Sequence, residues 1–161
     1  MSTSADDNAL DPSHPARAEA YASPEGRTAL LKDQAAHDRR LRIAAGVTNV
    51  YLHCSNDTWY SIKAGAFGFF GLGAPRELAI GLSDGIAKVP LSGPQLIAVI
   101  DGMRRVALRA TTWRSTLTDK LLAERVYAAC AFVVDTVEAG NATGMPLSPI
   151  VIDDRVPGAD Q

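Results

Sequence analysis

Val47-Thr48-Asn49-Val50-Tyr51-Leu52-His53-Cys54-Ser55-Asn56-Asp57-Thr58-Trp59-Tyr60-Ser61-Ile62-Lys63-Ala64 is the stretch on which the fold turns. Over 47–54 the residues alternate, which sets Val50, Leu52 and Cys54 on one strand face and Tyr51 and His53 on the other. Ser55-Asn56-Asp57 reads as a turn, and 58–64 as the returning strand. There Tyr60 and Ile62 share one face and Trp59, Ser61 and Lys63 the other. Beyond it, Gly65, Gly68, Gly71 and Gly73 interrupt the aromatic run Phe67, Phe69 and Phe70. A third strand is predicted over 76–82, with Leu78, Ile80 and Leu82 alternating. Asp84-Gly85 is a strong two-residue hairpin signal. The fourth strand covers 86–89 and stops at Pro90.

Helices flank this run. Ser23-Pro24-Glu25 is a helix start: a hydroxyl cap, proline at the first helical position and an acid in the first turn. One helix is predicted from there to Ala45, closed by Gly46. Its apolar stripe, Leu30, Leu31, Ala35, Leu41 and Ala45, is thin. Lys32, Asp33, His37, Asp38, Arg39, Arg40 and Arg42 read as a solvated face, so the helix is weakly docked or completed by another chain. Ser92-Gly93-Pro94-Gln95 is a capping box, stapled by Leu91 and Leu96, and opens a second helix ending near Ala110. Leu96, Ile100, Met103 and Ala107 form its buried stripe. Thr116 or Thr118 caps a third helix over 119–139, ended by Gly140-Asn141, with Leu122, Val126, Cys130, Val133 and Val137 buried. The segment 150–152 is a candidate edge strand. The expected fold class is therefore α+β: an N-terminal helix, a four-stranded antiparallel meander and two C-terminal helices on one sheet face. Residues 1–22 read as a flexible acidic arm, 23–140 as a single domain and 141–161 as an acidic tail.

Composition narrows the function classes. With 161 residues, 47% hydrophobic and 21% charged, the chain is of single-domain size and can build a core without disulfides or metals. Cys54 and Cys130 are too far apart for a zinc ribbon. The longest apolar run, 128–134, is too short to cross a bilayer, and the first residues carry no export signal, so a cytoplasmic location is expected. Twelve arginines against four lysines, with abundant alanine, fit a high-GC bacterial coding sequence. The net charge of −2 divides into −3 over 1–22, −4 over 135–161 and +5 between them.

Few residues group in a way that carries chemistry. His53 and Cys54 are adjacent, but neighbours on a strand point to opposite faces, so they form no nucleophile–base pair. The 65–73 glycines lack the lysine and hydroxyl of a phosphate loop and do not open a helix. They read as an apolar crossover, or as a flap for a hydrophobic ligand. His14, His37 and His53 have no ligand spacing, and neither a metal nor a cofactor is expected. Arg104, Arg105, Arg109 and Arg114, beside Trp113, form a candidate anion patch. Against nucleic acid stand a pI of 5.9 and an inter-helix spacing too long for a helix-turn-helix.

The reading that follows is a non-catalytic interaction, assembly or regulatory module. It self-associates, most simply as a homodimer, through an apolar sheet face made of Tyr51, His53, Trp59, Phe67, Phe69 and Phe70. One alternative is a small-molecule binder or small enzyme with a pocket between sheet and helices. A second is a nucleic-acid accessory protein using the arginine cluster.

Overall fold

The computed structural model describes residues 21–68, 71–110, 112, 116–137 and 147–152. Strand β1, Val50–Ser55, forms as its alternation predicts, with Val50, Leu52 and Cys54 buried. It is followed by no turn and no returning strand. Ser55 ends β1 and caps helix α3, Asn56–Phe67, its hydroxyl accepting from the Thr58 amide at 3.2 Å. Asp57 then sits in the first turn, against the positive end of the helix dipole. Exposure distinguishes the two periods. Ile62 is fully buried while Tyr60, two residues before it, is 65% exposed; Trp59, three before it, is 5% exposed. A strand would have put Tyr60 and Ile62 on the same face.

The long N-terminal helix is also corrected. It divides into α1, Pro24–Lys32, capped by Ser23, and α2, Gln34–Ala45, capped by Asp33. The Asp33 carboxylate accepts from the Ala36 amide at 3.0 Å, a local bond that competes with the continuing helix. Arg104 meets a carbonyl near the freed end of α1, donating to Leu31 O at 2.9 Å.

The expected third strand contracts. Glu77–Ala79 is a 3-10 turn, and β2 is only Gly81–Ser83. Asp84 and Gly85, both at positive φ, then turn the chain into β3, Ile86–Leu91. Pro90 lies inside β3 rather than ending it. The Ile152 amide donates to His53 O, so the His53 carbonyl faces away from β3. Alternation along the antiparallel ladder makes Tyr51 and Pro90 a non-hydrogen-bonded pair and points the proline nitrogen toward the β2 side. Extending β2 backwards would bring residue 79 opposite Pro90, which has no N–H to give. The ladder stops short of it.

Helix α4, Gly93–Leu108, and helix α5, Leu117–Asp135, both open with complete capping boxes, Ser92 with Gln95 and Thr116 with Asp119. Strand β4, Ile150–Val151, pairs parallel with β1. The sheet order is β2-β3-β1-β4. The fold remains α+β, but with five helices and a mixed sheet among the described residues, not an antiparallel meander with three helices. Val50, Leu52, Cys54, Ala87, Val89 and Leu91 form one core with Leu96, Ile100, Val126, Tyr127 and Cys130.

Gly93 lets α4 begin against the end of α2. A Cβ there would stand 2.7 Å from Val47 O and 2.8 Å from Ala44 O, both backbone atoms. Gly93→Ala is expected to cost about 1–3 kcal/mol through a forced backbone shift, read by urea denaturation. An unchanged midpoint would contradict this packing.

Candidate functional site

All of the sheet's apolar burial is on its helix side, so the opposite face is the first surface to consider. Strand register places Gly81, Lys88, His53 and Val151 in one row across it, with Tyr51 beside Pro90 and Ser55 beside Ile86. Tyr51 is 46% exposed, Ile86 41% and Val151 58%. Lys88 is exposed, and His53 and Pro90 are half-buried. The Tyr51 and His53 rings lie 6.4 Å apart. A solvated sheet face usually alternates to polar residues; here four of the seven outward side chains among those described, Tyr51, Ile86, Pro90 and Val151, are apolar. Cys54 is on the other side, 1% exposed, so His53 has no thiol beside it. Cys130 is equally enclosed, and burial pushes its thiol up to about 12. Neither cysteine is placed for nucleophilic chemistry.

The aromatic surface expected from the sequence is thus smaller. Tyr51 and His53 lie on the open face. Trp59 is a core residue of α3, and Phe67, at the end of α3, is half-buried against the core. Phe69 and Phe70 lie outside the described residues. The arginines do not converge either. Arg104 is committed to Leu31 O and to Gln34 Oε1 at 2.8 Å, and Arg105 pairs with Asp101 at 3.1 Å. Arg109 caps the C-terminus of α4, and Trp113 and Arg114 are outside the described residues.

A buried polar network escapes the sequence reading, which places His37 and Arg40 on a solvated face. They are 2% and 3% exposed. Arg40 grips Asp135 of α5 with Nε and Nη2, each at 2.9 Å, and Tyr21 donates to the same carboxylate at 2.7 Å. Arg40 Nη1 also donates to the Tyr127 hydroxyl at 3.2 Å. That leaves the hydroxyl proton for His37 Nδ1 at 3.0 Å and puts the imidazole proton on Nε2, facing Asp101 Oδ1 at 3.3 Å. Burial lowers the pKa of His37, opposed by its bond to Asp101 and aided by the nearby Arg104. Burial also raises that of Tyr127. The Asp135 pair outweighs burial at Arg40 and raises its pKa, so the guanidinium stays charged. The arrangement is a pin joining α2 to α4 and α5. Among the described residues, no three His, Cys, Asp or Glu side chains could share a metal ion, and no helix is long and apolar enough to cross a membrane.

Two outcomes are expected from the pin. Asp135→Ala strands a buried cation and is expected to cost about 3–5 kcal/mol, whereas Arg40→Met with Asp135→Leu costs far less; chemical denaturation of both variants checks this. The second concerns pH. Because His37 resists protonation when folded, the unfolded chain takes up the proton first as pH falls below 6.5. Its contribution to stability is full above that pH and is lost as pH drops toward the folded-state value. His37→Gln should flatten this part of the profile, and an unchanged slope would refute the assignment.

Protein-family models, curated proteins and solved structures all yield no match to this chain.

Proposed function

We propose that this domain is a non-catalytic assembly module whose contact surface is the open sheet face, and that its partner there is a second copy of the chain. The observation that carries the reading is the failure of that face to turn polar: Tyr51, Ile86 and Val151 stay exposed around His53 and Pro90.

The register supports self-docking. A two-fold axis parallel to the strands, between β1 and β3, would set each row against its own reverse. Lys88 then meets His53 of the second copy, Tyr51 meets Pro90, and Val151 meets the bare backbone of Gly81. Lysine is not brought onto lysine. Two six-residue strands with shorter neighbours give a face of about 280 Å2. This is below the ~800 Å2 per partner of a stable complex, so the dimer is weak and reversible.

Light scattering across a concentration series tests this. The expected result is a mass that rises with concentration and becomes monomeric on Tyr51→Glu with Val151→Glu, both surface positions that leave the core intact. A mass that stays monomeric up to about 1 mM would overturn the proposal.

A further inference from the structure

On the helical side of the molecule, α3 and α4 meet where neither has a side chain to spare. A Cβ on Gly102 would stand 2.7 Å from Ala66 Cα and 3.0 Å from Gly65 O, so the two backbones are in direct contact there. One to two turns further along, at Ser61 of α3 and Arg109 after α4, a cleft of about 320 Å3 lies between them. The first turns of α5 close its third side. Ile62, Met103, Val106 and Leu122 supply an apolar lining, and Gly65 leaves bare backbone under the end of Met103, whose Cε would lie 2.6 Å from a Cβ placed on it.

The polar groups of the cleft are Ser61, Arg109 and Asp119. Asp119 is already engaged, because its Oδ2 accepts from the Thr116 amide at 3.0 Å and the Thr116 hydroxyl at 2.9 Å, closing the cap of α5. Arg109 is exposed and has no side-chain partner among the described residues. A cleft whose wall is about half apolar, with a hydroxyl and a guanidinium that has no side-chain partner among the described residues, has the make-up of a small-ligand site.

We infer that this cleft binds a small apolar monocarboxylate, its carboxylate on Arg109 and its hydrocarbon part against Met103, Val106 and Leu122. A guanidinium presents paired N–H donors to a carboxylate, which a neutral or cationic head group cannot use. Size follows from volume: at roughly 30 Å3 per water-sized group the cleft takes about ten non-hydrogen atoms, the size of octanoate or phenylacetate. The site is on the helices, away from the open sheet face, and does not depend on self-association.

Octanoate, octylamine and octanol are titrated into the full chain by calorimetry, with protein-observed NMR to place the shifts. The expected order is octanoate well ahead of the other two, with shifts at Ala64, Val106 and Leu122. Arg109→Gln should weaken octanoate about tenfold and leave octanol unchanged. Ala64→Trp, at an exposed rim position, should block all three; a thermal melt establishes that it is folded. Arg109→Gln alone tests the charge should that variant fail to fold. Equal binding of the three probes, no saturable binding, or octanoate binding insensitive to Arg109→Gln would each overturn the inference. Octylamine binding best, and weakened by Asp119→Asn, would reverse the assigned charge and overturn it as well.

Discussion

The hydroxyl of Ser55 fixes more of this architecture than any other single group. It accepts from the Thr58 amide and turns β1 into α3 without an intervening loop. A chain that leaves a strand directly into a helix cannot fold back on that strand through a tight hairpin. The neighbours of β1 must come from elsewhere, and they do: β3 from residues 86–91 and β4 from 150–151. With no hairpin partner, β1 is flanked by an antiparallel strand on one side and a parallel one on the other. The same cap bears on the core, since α3 brings Trp59 and Ile62 inward where a hairpin would have sent Trp59 outward.

Legibility tracks how local each signal is. The capping box of Ser92 with Gln95, the positive-φ pair Asp84-Gly85 and the alternation of Val50, Leu52 and Cys54 each reside in a few consecutive residues, and each is present in the structure. The stretch after Ser55 is ambiguous because 58–64 satisfies a two-residue period while Thr58, Trp59 and Ile62 satisfy a helical one. The cap itself is visible, as Ser55 followed by Asp57, yet it reads equally as a turn because the same residues favour both. The break at Asp33 is hidden for a similar reason: an aspartate within a polar helix looks solvated until its carboxylate is seen on the Ala36 amide. At the candidate site, Tyr51 and His53 are legible from alternation alone, while the outward partners on β3 and β4 require the register.

His37 and Arg40 cannot be read from their own helix. Their partners are 90 and 95 positions away, at Tyr127 and Asp135. A thin apolar stripe therefore does not mean weak docking. The α2 helix is held by a bidentate ion pair and an ordered donor chain, and the geometry of that chain is demanding. The Arg40 donors all converge on the Asp135 carboxylate and the Tyr127 hydroxyl, so α2 can satisfy them at one rotation and one height on α5. Apolar packing alone tolerates slippage that this network does not. The cost of burying the charge is met by Asp135, Tyr127 and Tyr21 together.

The fold's own requirements make the outward residues of the sheet informative. A one-sided sheet needs apolar residues at alternate positions only, and Val50, Leu52, Cys54, Ala87, Val89 and Leu91 meet that need. Nothing in the core depends on Tyr51, Ile86 or Val151, whose exposed areas touch solvent rather than helices. Polar residues there would satisfy the same strands, the same register and the same hairpin. The short β2 and β4 limit the sheet's exposed edges, and Pro149 precedes β4. An edge made this brief gives an incoming strand little to pair with. The self-association proposed for this face would thereby be steered toward face-to-face contact, where side chains rather than backbone groups select the partner.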